Sequence, residues 1–73
     1  MAKRIGMVQR RVIDLMQTLP DNMITPTRLA MSPVGVFRNW NNGNARAILE
    51  EMKNNGMVVM KERGSYYLSD EYL

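Results

Sequence analysis

The sequence predicts a small α+β domain, mainly helical, in which three helices precede a two-stranded β-hairpin. Three observations carry this. Ile5, Val8, Val12, Leu15, Met16 and Leu19 recur at helical spacing and give one apolar stripe. Ala45, Ile48, Leu49 and Met52 form a second stripe at i, i+3, i+4 and i+7. Beyond it, "MVVMKERGSYYLS" sets β-branched and aromatic residues on both sides of Arg63-Gly64, the signature of a hairpin. The 73 residues make one domain, with no repeat or low-complexity segment.

The first helix runs from about residue 3 to residue 19, with Arg10 and Asp14 four apart on its outer side. Pro20 stops it, and "PDN" reads as a turn. Met23-Ile24 offers a short strand. The second helix begins at Pro26: Thr25 caps it, proline suits its first position, and Ile24 and Leu29 have the spacing of a hydrophobic staple. Ser32-Pro33 ends its regular part, because proline disfavours helical geometry at the residue before it. "VGVFRNW", from Val34, reads either as a helical turn burying Val36, Phe37 and Trp40 or as a packed irregular connection, and the spacing favours the turn. "NNGN" breaks the chain again.

The third helix covers about residues 45–55, with Asn44 as N-cap, Gly56 as a left-handed C-terminal cap and Met57 folding back onto Met52. The hairpin then pairs about residues 57–61 with 65–68, Gly64 tolerating positive φ at the tip. The final "DEYL" extends this strand or frays.

A chain this short buries only about 60–65% of the surface its unfolded form exposes, so its stability is marginal and a homodimer would add to it. The absence of cysteine removes disulfides and thiolate ligands, and the absence of histidine removes the commonest general base and zinc ligand. No cofactor or metal is therefore expected. Lack of cysteine fits a reducing, cytoplasmic setting. The start, "MAKRIGMVQRRV", is too polar and too short in apolar run for a signal peptide, and no stretch is long and apolar enough to span a membrane. Eight methionines within a 45% hydrophobic composition supply a core of adaptable side chains.

The net charge of +3 hides an asymmetry. Residues 1–49 carry Lys3, Arg4, Arg10, Arg11, Arg28, Arg38 and Arg46 against Asp14 and Asp21, a balance of +5. Residues 50–73 carry Lys53, Lys61 and Arg63 against five acidic residues, a balance of −2. Basic charge of this size suggests a polyanion partner without requiring one.

Three helices followed by a hairpin is an order that resembles winged helix-turn-helix domains. "ITPTRLA" looks like the start of the second helix in that family, where a capped threonine or serine precedes a Leu-Ala pair. "NARAILEEMKNNGMVVMKERGSYYLS" is similar to the family's recognition helix, glycine stop, wing and closing strand. The resemblance covers about residues 5–68, rests on motifs generic to the superfamily, and implies a three-helix winged helix-turn-helix with a C-terminal two-stranded wing. One departure stands out. A compact helix-turn-helix turn takes only a few residues, whereas residues 31–43 separate Ala30 from the third helix. Either an extra helical turn is inserted or the second helix continues past a kink.

In winged helices that read DNA, the front of the third helix enters the major groove. The resemblance thus makes Asn41, Asn42, Asn44 and Arg46 the natural base contacts, asparagine suiting adenine and arginine suiting guanine. Small Ala47 permits close approach. Glu50 and Glu51 oppose insertion of the whole helix, since they would lie near phosphates. The plainer alternative is that "NNGN" is turn chemistry and that Arg46, Glu50 and Lys53 form a solvated stripe in which Arg46 and Glu50 pair. Lys61 and Arg63 either contact phosphates from the hairpin tip or keep a short turn solvated and a sheet edge unpaired. Arg28 lies early in the second helix, which crosses the backbone in the family, near the positive end of the helix dipole. Lys3 and Arg4 suit a phosphate-binding arm, and Arg10 and Arg11 an exposed helix face. Arg38 and Trp40 suit stacking on nucleic acid, but a lone tryptophan in so small a chain is more often core.

Catalysis is not expected: Glu50 and Glu51 are adjacent and point in different directions, and so short a chain leaves little room for a concave site. The expected function is that of a small cytoplasmic protein binding double-stranded DNA through Arg28, Asn41, Asn42, Asn44, Arg46, Lys61 and Arg63. It would act in transcription regulation or another DNA transaction, with two copies on a two-fold site. The alternative is a non-catalytic protein-interaction module of the same fold, of the kind viruses or mobile elements direct at a host protein. The acidic pair, the −2 balance of the last third and the insert at 31–43 favour that alternative.

Overall fold

The computed structural model describes residues 6–73. Its elements are α1 (Met7–Gln17), β1 (Met23–Ile24), α2 (Pro26–Met31), α3 (Pro33–Phe37), α4 (Asn42–Asn54), β2 (Val58–Glu62) and β3 (Ser65–Leu68), with short 3-10 turns at Pro20–Asn22 and Asp70–Tyr72. The domain is α+β and mainly helical, with one small antiparallel sheet. The expected start of the first helix, Ile5 of its stripe, and the arm of Lys3 and Arg4 lie outside the described residues.

Helix α1 stops at Gln17, two residues earlier than its apolar pattern suggests. Pro20 holds Leu19 extended, at φ −94° and ψ 151°, so the last helical turn must close before it. Thr18 closes that turn by donating its hydroxyl to the Leu15 carbonyl at 2.7 Å. The buried face of α1 is Val12, Ile13 and Met16, so the stripe is rotated from the expected one and Leu15 is only half-buried.

Asp21 and Asn22 turn the chain with positive φ, which short polar side chains tolerate, and β1 follows. Met23 pairs with Tyr67 and Ile24 with Tyr66, giving the sheet order β1-β3-β2. The expected two-stranded hairpin is therefore a three-stranded sheet with β3 at its centre. Ile24 points into the core from β1 and Leu29 from α2, as their staple spacing predicts.

The connection at 31–43 contains an inserted helix. Ser32 ends one helix and starts the next: its hydroxyl donates to the Leu29 carbonyl at 2.6 Å and accepts the Gly35 N–H at 3.2 Å. Gly35 lies against the end of α2 so closely that a Cβ there would sit 2.3 Å from the Leu29 oxygen. Because Gly35 takes the inward position of this five-residue helix, Val36 and Phe37 face solvent, contrary to the expectation that both are buried. Trp40 does pack against the core, half-buried.

Two helices end in the same way. At α3, Asn39 takes φ 57°, and the N–H groups of Trp40 and Asn39 reach the Gly35 and Val36 carbonyls at 2.9 and 3.2 Å. At α4, Gly56 takes φ 77°, and the N–H groups of Met57 and Gly56 reach Met52 and Lys53 at 2.9 and 3.0 Å. Both are Schellman stops, and at α4 buried Met57 and Met52 complete the motif.

The core gathers Val12, Ile13 and Met16 of α1, Leu29 of α2, Ala45, Leu49 and Met52 of α4, and Tyr66 and Leu68 of β3. Among the described residues, no helix is long and apolar enough to cross a membrane.

Candidate nucleic-acid interface

Helix α4 begins at Asn42, capped by Asn41, rather than after Asn44 as the sequence suggests. Asn41 Oδ1 accepts the Asn44 N–H at 2.8 Å, and Asn44 Oδ1 accepts the Asn41 N–H at 3.2 Å. This reciprocal box satisfies two of the donors that a helix start leaves open, so the cap moves three residues upstream. It also occupies the side-chain oxygens of both residues. Bidentate reading of adenine uses an asparagine oxygen and nitrogen together. Asn42, exposed in the first turn, has neither engaged in a side-chain hydrogen bond.

One turn further, Arg46 is exposed and lines a depression between α4 and the hairpin, together with Glu50, Lys53, Met60, Arg63 and Tyr66. Three cations from α4 and the hairpin thus line one depression with one carboxylate. Glu50 does not rely on Arg46 alone. The Tyr66 hydroxyl donates to Glu50 Oε2, and Lys53 Nζ lies 3.1 Å from Oε1. The Tyr66 bond, then the Lys53 bond and the Lys53 and Arg46 charges, hold the Glu50 carboxyl below its ordinary range against a smaller opposing effect of burial. Tyr66 is pushed up to about 12 by burial first and then by its bond to that carboxylate. Glu51 leads elsewhere: its Oε1 accepts from Gln9 Nε2 at 3.1 Å and links α4 to α1. Only one of the two adjacent acids therefore faces the cationic depression.

The two hairpin cations separate. Arg63 lines the depression with Tyr66, whereas Lys61 lies over the Tyr67 ring at 4.9 Å from its centroid. Tyr66 and Tyr67 are neighbours on β3 and point to opposite faces. The strand register shifts between Met60 and Glu62, which leaves Lys61 as the extra residue of a bulge. Arg28 lines a different depression, with Leu15, Leu19 and Met31. Of the seven residues singled out from the sequence, Arg46 and Arg63 meet in one depression. Asn41, Asn42 and Asn44 form the helix start just before Arg46, and Arg28 and Lys61 lie outside that depression. Lys53, read from the sequence only as part of a solvated stripe with Arg46 and Glu50, and Tyr66, not singled out at all, are further contributors. Lys53 stands seven residues after Arg46, two helical turns along the same face, which is why the sequence shows the stripe. Nothing in the sequence shows that Tyr66 reaches Glu50.

No family model matches the chain, and no curated protein matches it either.

Proposed function

We propose that the chain is a winged helix-turn-helix protein that binds double-stranded DNA, with the front of α4 in the major groove and the hairpin on the backbone. One observation carries the reading: Arg46, Lys53 and Arg63 converge on a depression whose single carboxylate is held by Tyr66 and Lys53. In this reading Asn42 and Arg46 reach base edges, and the side-chain NH2 groups of Asn41 and Asn44, whose oxygens and backbone N–H groups form the capping box, remain donors for phosphate. Arg63 and Lys61 contact phosphates from the two sides of the hairpin, and Arg28 supplies a separate anchor. The protein acts without catalysis, in the cytoplasm, in transcription regulation or another DNA transaction. Two copies on a two-fold site enlarge its small footprint.

Fluorescence anisotropy with a labelled duplex across a salt series tests this. Log affinity should fall linearly with log salt, by about 0.9 for each phosphate neutralised. Arg63→Ala should lower that slope by about 1 and weaken binding across all sequences, Arg46→Ala should relax the base preference, and the double variant should show both losses. No binding at low salt, or binding indifferent to salt, would sink the proposal. The alternative, a protein-interaction module of the same fold, predicts that this double variant keeps its partner.

A further inference from the structure

Away from the α4–hairpin depression, the described residues leave apolar side chains uncovered along one flank of α1. Met7 is 72% exposed, Phe37 85% and Met31 75%. They are not scattered. Met7, Arg11, Val34 and Phe37 line one groove between α1 and α3, and Leu15, Leu19, Arg28 and Met31 line the next depression. Pro33 borders both, so the two join into one strip.

The helical geometry explains the strip. Met7, Arg11 and Leu15 stand at i, i+4 and i+8 of α1 and form one ridge. Val34 and Phe37, at i and i+3 of α3, form the facing ridge, turned outward because Gly35 is pressed against α2. From Met7 to Leu15 the ridge is about 12 Å long, at roughly 1.5 Å per residue. That is the span over which an amphipathic helix presents side chains at i, i+3, i+4 and i+7.

Charge selects the occupant further. The strip is rimmed by Arg11, Arg38 and Arg28. Ion pairs among the described residues join Arg10 to Asp14 and Lys53 to Glu50, and leave these three arginines without a carboxylate. We infer that the α1–α3 groove docks an acidic amphipathic helix of a partner protein, its apolar side chains between Met7 and Phe37 and its carboxylates on the arginine rim. In the α1–α3 groove Met7, Pro33, Val34 and Phe37 carry no hydrogen-bonding group for base edges, and Phe37 is its single aromatic face. A bilayer does not fill a groove between two ridges, and isologous pairing with a second copy would set arginine rim against arginine rim. The α1–α3 groove shares no lining residue with the α4–hairpin depression, and Arg28, which lines the adjoining depression and is common to both readings, is left unchanged in the test, so the two readings are tested separately.

The test is an NMR titration of the full chain with a capped synthetic helix carrying leucine at i, i+3, i+4 and i+7 and glutamate elsewhere. Amide shifts should concentrate at Met7, Arg11, Val34, Phe37 and Arg38. Phe37→Ala, and separately Arg11→Glu with Arg38→Glu, should each weaken binding about tenfold or more, with circular dichroism unchanged. The same peptide with lysine for glutamate should not bind. Arg46→Ala with Arg63→Ala should leave peptide binding intact, and Phe37→Ala should leave duplex affinity intact. The inference is overturned by absence of shifts at millimolar peptide, or by binding that ignores the charge reversal. It is equally overturned if Phe37→Ala abolishes binding to duplex DNA or to phosphatidylserine vesicles, or abolishes dimerisation seen by sedimentation.

Discussion

Tyr66 and Glu50 join the sheet to α4 through one hydrogen bond between a buried ring and a half-exposed carboxylate. Their ionisations are linked to folding with opposite signs. Tyr66 has its value raised from 10.0 to about 12, so the stability it contributes is complete below pH 10 and is lost as pH rises towards 12. Glu50 is lowered from its ordinary 4.5, so its contribution is complete above that value and is lost as pH falls through the lowered one. Ultraviolet titration of the three tyrosines should therefore show one late ionisation near 12, accompanied by unfolding. In Tyr66→Phe that late step should vanish while the fold persists, because the ring remains in place. A variant that keeps the late step would assign it to Tyr67, which is also raised, by burial and then by Glu62.

At the scale of elements, the junction of α2 and α3 is the least replaceable feature. Alanine in an exposed helix is ordinarily favoured over glycine by about 1 kcal/mol. At Gly35 the sign reverses, because the added Cβ would meet the Leu29 and Ala30 carbonyl oxygens at 2.3 and 2.5 Å, and these are backbone atoms. Gly35→Ala should cost at least about 2 kcal/mol in urea denaturation, since α3 must move off α2 to accept it. Ser32→Ala removes the side-chain cap of α3 from a buried position and should cost about 1 kcal/mol. If Gly35→Ala were neutral or stabilising, the close approach of α3 to α2 would be wrong, and with it the outward placement of Phe37. The "NNGN" run belongs to this scale too. Its asparagines first build the start of α4, and any contact with DNA uses what that leaves over.

For the whole molecule, one small core carries the fold. Stability of about 0.05–0.15 kcal/mol per residue gives a chain of this length roughly 4–11 kcal/mol in all. Leu49 is fully buried between the helices and the sheet, and Leu49→Ala should cost about 2–5 kcal/mol. Thermal denaturation should show the midpoint of that variant lowered by roughly 10 °C or more, while substitution of solvent-facing Val36 by alanine should leave the midpoint nearly unchanged. The local grammar was legible in the residues themselves. Thr25-Pro26, the stripe of Ala45, Leu49 and Met52, the Gly56 stop and the Arg63-Gly64 tip each act over a few neighbours, so a linear sequence displays them. Pro20's effect on Leu19 was equally local, though the apolar pattern ran past it. The pairing of Met23-Ile24 with β3, the closeness of Gly35 to α2 and the turning of Glu51 towards Gln9 were decided only by tertiary structure. So was the meeting of Arg46 with Arg63 and of Tyr66 with Glu50. These contacts join residues that α2, α3 and the α4–β2 turn bring together, and their geometry depends on how the helices pack around Leu29, Leu49 and Met52. The sequence determined which segments become helix or strand; packing decided which of their charged and apolar faces meet and which are left open to a partner.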